Sequence, residues 1–255
     1  MEIKRIFILM IILNIFSPKV IISSENIKIK ISPTNGYYLL GNKYSGVYRY
    51  SLDSELMNEY LDDRIISPSD ILVKSLKVII LDQYKIHFLD YYLRYQNYIR
   101  LPSELIDPSK FAFAENGYYI YCYAQKTLFK LTERGLSSPL YRLPPNTSLE
   151  SMDSYADDLL LLLNNGESII VNSTGNTFKY PDKVSTPFEH SSICTPYLIT
   201  TDTSSISIYK IEDSKVIIYE KREIDDTSNI RAIDCRNNKV YILRENNMEV
   251  IEIEG

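Results

Sequence analysis

The chain has 255 residues, 45% hydrophobic and 24% charged, a balance typical of a folded globular protein. The formal net charge of −5 gives no basic surface of the kind that binds nucleic acid, so no nucleic-acid partner is expected. Only 8 Gly occur, and the sequence contains neither a phosphate-binding loop nor a dinucleotide fingerprint. We therefore expect no cofactor, and the 22 Tyr and many Ile favour strands.

Residues 1–24 have the pattern of a secretory signal peptide. Lys4 and Arg5 precede an apolar run from Ile6 to Phe16, which is shorter than the roughly 20 residues that a membrane helix needs. An uncleaved membrane anchor is the alternative, and contact with a membrane is expected only in that case. We predict that the mature protein is secreted or lies in the lumen of the secretory pathway.

Six apolar runs follow one another at intervals of about forty residues. They are GYYLLGN (36–42), KVIILDQ (77–83), GYYIYCY (117–123), DLLLLLN (158–164), PYLITTD (196–202) and KVYILRE (239–245). One strand-like segment precedes each run, a second follows it after a polar turn, and most units carry a fourth. Four short strands per unit, with a period near forty, are typical of a β-propeller blade.

We therefore predict that residues 25–255 form one all-β domain, a six-bladed β-propeller with mostly four antiparallel strands per blade; a sandwich or barrel is the alternative. The predicted blades are 27–66, 67–108, 109–147, 148–188, 189–227 and 228–255. The LLLLL run at 159–163 is apolar on both faces, as expected of a strand buried between two neighbouring blades.

This arrangement resembles the WD40-like and NHL-like propellers, and the resemblance is architectural. The chain has no Trp, so it lacks the Trp-Asp dipeptide of WD40 repeats, and the Gly-His of the same signature is also absent. No functional residue of those families is therefore transferred to this chain.

The last unit has three predicted strands in place of four: IRAIDC at 230–235 and two more within NNKVYILRENNMEVIEIEG at 237–255. The one candidate for a fourth strand is KVIISS at 19–24, beside the predicted cleavage region. Cleavage after Ser24 predicts a three-stranded last blade, or an outward shift of IKIKIS at 27–32. Retention of residues 20–24 predicts a four-stranded blade.

Cysteines, histidines and sequons add three predictions. Cys122, Cys194 and Cys235 are either three small buried apolar residues, or Cys194 and Cys235 form a disulfide. With no CxxC and only two His, no metal site is expected. Asn146 and Asn172 begin N-glycosylation sequons, so the protein is predicted to be a glycoprotein.

No catalytic motif is present, and no catalytic residue is assigned. If the propeller is an enzyme, acidic, Arg or His side chains should converge at one end of the innermost strands. The candidates for that channel mouth are Asp70, Glu150, His190 and Arg231.

A tyrosine-rich segment, DYYLRYQNYIR at 90–100, is a candidate contact surface for a protein partner. Tyrosine combines a large apolar body with a polar tip, which suits binding interfaces. The contact candidates are Tyr91, Tyr92, Arg94, Tyr95 and Tyr98. Packing within a blade is the alternative role for these residues.

Three hypotheses for function follow. The leading one is a non-enzymatic secreted or ER-luminal propeller that acts as a protein-interaction scaffold or as an adhesion or binding module. The second is a hydrolase or lyase that acts on carbohydrate or small ester substrates at the channel mouth. The third is a membrane-anchored luminal propeller that is a subunit of a complex.

Overall fold

The computed structural model describes residues 28–32, 36–41, 46–155, 158–224, 230–245 and 247–253. The regular structure in these ranges is all β, in 24 strands that form six antiparallel sheets. Within the same ranges, no helix has the length and apolar character that a membrane crossing requires.

Each sheet is one blade, and its strands follow chain order from the innermost to the outermost. The first three blades contain β1 (Lys28–Ile31), β2 (Tyr37–Leu40), β3 (Val47–Tyr50) and β4 (Leu56–Tyr60); β5 (Pro68–Lys74), β6 (Lys77–Asp82), β7 (Lys85–Asp90) and β8 (Tyr95–Arg100); and β9 (Pro108–Ala114), β10 (Gly117–Cys122), β11 (Thr127–Thr132), β12 (Gly135–Leu136) and β13 (Tyr141–Arg142). The last three contain β14 (Leu149–Tyr155), β15 (Asp158–Leu163), β16 (Glu167–Val171) and β17 (Thr177–Lys183); β18 (His190–Cys194), β19 (Tyr197–Thr201), β20 (Ser205–Glu212) and β21 (Lys215–Glu223); and β22 (Ile230–Arg236), β23 (Lys239–Arg244) and β24 (Met248–Glu252).

The six innermost strands surround a central channel. In ring order they are β1, β5, β9, β14, β18 and β22; each contacts the next, and β22 contacts β1. This closed ring of six sheets confirms the predicted six-bladed propeller, and the sandwich or barrel alternative is wrong.

Two blades depart from four strands. In blade 3, the short strands β12 and β13 both pair with β11 and together occupy the outermost position. In blade 6, the described residues form three strands, and β24 pairs with β23. The candidate fourth strand at 19–24 and the predicted signal segment at 1–24 lie outside the described residues.

The core consists of apolar layers between neighbouring blades, as the LLLLL run shows. Leu159, Leu161 and Leu163 pack toward blade 3, whereas Leu160 and Leu162 pack toward blade 5. All five side chains are fully buried. The strand therefore carries no polar face, because each face is covered by another blade.

Polar contacts reinforce the junction between the last blade and the first. The buried Asp234 carboxylate accepts hydrogen bonds from the Ile31 amide at 2.8 Å and from the Lys30 ammonium at 3.1 Å. Arg236 donates to the Ile31 carbonyl at 3.2 Å. These bonds join β22 to β1 at the point where the chain closes its ring.

A disulfide joins Cys194, at the end of β18, to Cys235 in β22, with Cα atoms 5.7 Å apart. The bond therefore links the innermost strands of blades 5 and 6. Cys122 is a buried free thiol at the end of β10, and burial raises its pKa to about 12. Cys122 is therefore an unreactive thiol at neutral pH.

Candidate functional site

The innermost strands all begin at the same face of the disc, which we call the mouth face. A cavity of about 360 Å³ opens there. One residue near the start of each innermost strand lines it: Lys28, Asp70, Lys110, Glu150, His190 and Arg231. The structure thus brings all four predicted mouth residues together in one cavity.

The sequence did not predict the two lysines of this ring, because an enzyme site at the channel mouth was expected to contain acidic, Arg or His side chains. The forty-residue period could have found them. Lys110 lies forty residues after Asp70 and forty before Glu150, so it occupies the same place in its own blade. Lys28 stands in the corresponding place at the start of β1.

The mouth carboxylates have partners within the protein. One oxygen of Asp70 accepts a hydrogen bond from the Phe111 amide at 3.0 Å. One oxygen of Glu150 accepts a hydrogen bond from the Ser148 hydroxyl at 2.8 Å. The bond of Asp70 joins blade 2 to blade 3. The bond of Glu150 orients its carboxylate at the edge of the channel.

His190 is held in one tautomer. Its Nε2 lies 3.2 Å from the Ile230 carbonyl oxygen, which can only accept, so Nε2 carries the hydrogen and Nδ1 is left as an acceptor. Burial lowers the pKa of His190, and the Ile230 carbonyl and Glu189 only partly offset that effect. His190 is therefore a neutral imidazole at pH 7 that can accept a proton.

Deeper in the channel, the charges are paired with one another. Burial alone would lower the pKa of Lys30, but Asp234 and Asp153 outweigh burial and raise that pKa above its ordinary value. Ser192 donates a hydrogen bond to Asp234 at 3.2 Å. Burial raises the pKa of Asp153, although Lys30 opposes the shift.

At the mouth, the surroundings of Lys110 disfavour its positive charge. Burial, and then the neighbouring charge of Lys28, lower the pKa of Lys110 to about 8, although Asp70 and Glu150 act in the opposite direction. The ammonium group of Lys110 is therefore poorly compensated at neutral pH.

A second cavity, which we call the cleft, lies on the mouth face beside the channel and has a volume of about 700 Å³. It shares Lys28, Lys110 and Glu150 with the channel cavity. Tyr121 also lines it, and its buried hydroxyl has no hydrogen-bond partner of good geometry. Burial raises the pKa of Tyr121 to about 12, so the hydroxyl stays protonated as a donor.

Four large apolar residues either line the cleft or directly adjoin a lining residue in sequence, and we call them the rim. They are Ile66, Tyr84, Ile106 and Tyr123, with exposed fractions of 63%, 64%, 56% and 57%. Tyr123 lines the cleft itself, and each of the other three is adjacent in sequence to a lining residue. The rim residues come from the connections of blades 2 and 3, at corresponding places in the two repeats.

In the tyrosine-rich segment, Tyr91 and Tyr95 make contacts inside the blades. Arg49 lies over the Tyr91 ring, 3.6 Å from its centroid, and also donates to the Tyr91 hydroxyl. The Tyr95 hydroxyl lies 3.2 Å from Nδ1 of the fully buried His87. These two tyrosines thus hold polar groups within the core.

Tyr92, Arg94 and Tyr98 are exposed. Arg94 forms an ion pair with Asp90, Nε to Oδ2 at 2.6 Å, in the turn between β7 and β8. That turn lies at the face opposite the mouth, and Tyr98 lies in the outermost strand β8, so none of the three residues lines the cleft.

Asn146 is exposed in the connection between β13 and β14, and Asn172 is half-buried after β16. The Asn172 side-chain oxygen accepts a hydrogen bond from the Thr174 hydroxyl of the same sequon at 2.8 Å. Within the described ranges, no group of three or more His, Cys, Asp or Glu side chains is placed to hold a metal ion.

No protein-family model matches the chain, and no curated protein sequence matches it. Solved structures do resemble its fold. A catalytically inactive virginiamycin B lyase from Staphylococcus aureus with quinupristin has a TM-score of 0.61 and 13% identity, over 89% of this chain and 80% of that one. A streptogramin B lyase has a TM-score of 0.61 and 16% identity, over 92% and 85%.

The WD40 domain of Neurospora crassa Pan2 has a TM-score of 0.57 and 8% identity, over 89% of this chain and 79% of that domain. At these identities the likeness is one of fold. It agrees with the propeller architecture and assigns no activity to the channel.

Proposed function

We propose that the protein is a non-enzymatic binding module that captures a protein partner on its mouth face. A segment of the partner lies in the cleft and contacts the rim. The single observation that carries this proposal is the rim itself: four large, exposed apolar residues from two repeats, each lining the cleft or adjoining a residue that lines it.

The physical chemistry of interfaces supports this proposal. A group of exposed apolar side chains costs solubility unless a partner covers it. Tyrosine is enriched among the residues that dominate binding energy, and such residues lie near the centre of an interface. The hydroxyls of Ser69, Ser109 and Ser148 line the cleft and already donate within the protein, so their oxygens are left to accept hydrogen bonds from the amides of a bound main chain.

We also propose that this binding takes place in the secretory lumen or outside the cell. The disulfide between Cys194 and Cys235 supports an oxidising compartment, because such bonds are rare in the cytosol. Sequencing the N-terminus of the protein recovered from culture medium tests this. Recovery of the intact chain from the cytosol alone would contradict it.

Replacing the rim with serine, as Ile66→Ser, Tyr84→Ser, Ile106→Ser and Tyr123→Ser together, should weaken partner capture by about 100-fold or more. Each hot-spot side chain contributes about 2 kcal/mol, and a tenfold change corresponds to about 1.4 kcal/mol. Stability should change little, because these side chains are exposed. Affinity capture with the tagged chain, with mass spectrometry and then titration of the identified partner, measures the effect.

A matched control changes four exposed apolar residues on the outermost strands of blades 4 and 5: Phe178, Ile217, Ile218 and Tyr219 to Ser. This outer-strand variant should capture the partner as the unmodified chain does. A partner that is retained by the rim variant and lost by the outer-strand variant would place the interface on the disc edge and contradict the proposal.

A second candidate function is a lyase or hydrolase at the channel mouth. The observation that favours it is the cavity that holds Asp70, Glu150, His190 and Arg231 together. In this hypothesis, Nδ1 of neutral His190 accepts a proton, and Arg231 stabilises the negative charge that develops on the substrate. The lyases of similar fold supply a first compound to test.

Quinupristin, the compound in one of those lyase structures, is that test substrate. If this second function is correct, the chain consumes quinupristin, His190→Ala lowers the rate by 100-fold or more, and Tyr92→Ala, at the opposite face, leaves it unchanged. Mass spectrometry of the reaction mixture measures both. No turnover by the unmodified chain would contradict this hypothesis for that compound.

A further inference from the structure

The two lysines of the mouth ring occupy a distinct position. Lys28 and Lys110 line both the channel cavity and the cleft, so they stand at the boundary between the two. They come from blades 1 and 3, on either side of blade 2. A group bound in the cleft therefore meets both side chains before it reaches the channel.

The other charged side chains of the ring have partners within the protein. Asp70 and Glu150 accept the hydrogen bonds given above. Arg231 lies 4.0 Å from Glu245, and His190 donates to a carbonyl. In the part of the chain that the structure describes, no carboxylate lies within ion-pair distance of the ammonium of Lys28 or Lys110.

We propose that Lys28 and Lys110 together bind a carboxylate group of the partner segment held in the cleft. This inference rests on the proposed function. The carboxylate belongs either to an acidic side chain or to a chain terminus. A carboxylate between the two ammonium groups accepts a charge-assisted hydrogen bond from each and relieves their mutual repulsion.

The surroundings favour a carboxylate over a phosphate. The charged groups that face Lys110 are Lys28 from β1, Asp70 from β5 and Glu150 from β14. A phosphate carries about −1.5 to −2 charges, and two flanking carboxylates would repel it more strongly than a singly charged group.

The lowered pKa of Lys110 also agrees with a carboxylate-binding role. Burial and Lys28 lower its pKa in the free protein. A bound carboxylate stabilises the charged form, so binding should raise that pKa and take up protons from solution near pH 8.

NMR of the full chain with ¹³C-dimethylated lysines tests the proposal, the Lys110 signal being assigned from Lys110→Arg. The probes are N-acetylglycine, which mimics a chain terminus, the α-amide of N-acetylglutamate, which mimics an acidic side chain, and inorganic phosphate, each against chloride at equal ionic strength. We expect at least one carboxylate to raise the Lys110 pKa by about one unit more than chloride does. The responding probe identifies the source of the carboxylate.

Lys28→Met should abolish the probe-induced shift, whereas Lys126→Met, a lysine outside both cavities, should preserve it. The proposal is overturned if the carboxylates act no differently from chloride, or if phosphate alone shifts the signal. The rim variant separates this result from the proposed function. It should keep the carboxylate response even if partner capture proves independent of the rim.

Discussion

Replacing Asp234 by alanine should lower the free energy of unfolding by about 3 kcal/mol. The change leaves the Ile31 amide without its partner and removes the counter-charge of Lys30. The value lies at the low end for a buried pair because the Lys30 side chain is 29% exposed, so water compensates part of the loss. Urea unfolding followed by tyrosine fluorescence measures the difference.

The effect should be specific to the junction that closes the ring. Glu212→Ala removes a carboxylate 3.3 Å from Lys210, in an exposed pair, and should cost at most about 1 kcal/mol. Hydrogen exchange should show faster opening of β1 and β22 in the Asp234 variant than in the control. Equal losses of stability in the two variants would mean that the closure does not depend on Asp234.

Removing the disulfide, as Cys194→Ala with Cys235→Ala, should cost about 4 kcal/mol. The bond closes a loop with a sequence separation of 41, and the chain-entropy estimate for that length lies between about 3 and 4.7 kcal/mol. The cost appears mostly through a freer unfolded chain, so the fold itself should persist. Urea unfolding of the double variant against the oxidised unmodified chain provides the measurement.

Cys122→Ala is the matched control, because it removes a buried thiol without removing a cross-link. It should cost about 1 kcal/mol through lost packing. A reducing agent should destabilise the unmodified chain and leave the double variant unchanged. Titration of thiols in denaturant should find one reactive group, and three groups would contradict the bond.

The propeller could be predicted from the sequence because a strand buried on both faces produces a continuous apolar run, and such a run recurs in each blade. A strand covered on two sides needs no polar face, and LLLLL at 159–163 meets that requirement. The period of about forty residues also predicts where the innermost strands lie. The fourth strand of the first blade, β4 (Leu56–Tyr60), could not be predicted from the sequence, because its residues are mostly exposed and carry little apolar pattern.

The site was predictable only in part. The period placed Asp70, Glu150, His190 and Arg231 at strand starts, but it gave no reason to include lysines. The sequence could not show which residues of the tyrosine-rich segment are exposed and which pack inside the protein. The role of Tyr91, for example, depends on Arg49, a residue from a different blade. The rim was missed because single apolar residues in connections carry no sequence pattern until the fold groups them.

The ring of six mouth residues has an evolutionary consequence. Each position is donated by a separate repeat and projects from a strand whose other contacts are made within and between blades. A substitution at one position therefore replaces one sixth of the mouth and acts on the neighbouring positions through charge, as Lys28 does when it lowers the pKa of Lys110. The propeller can diversify its specificity one repeat at a time, and paralogues that differ only at these positions would present different chemistry on the same disc.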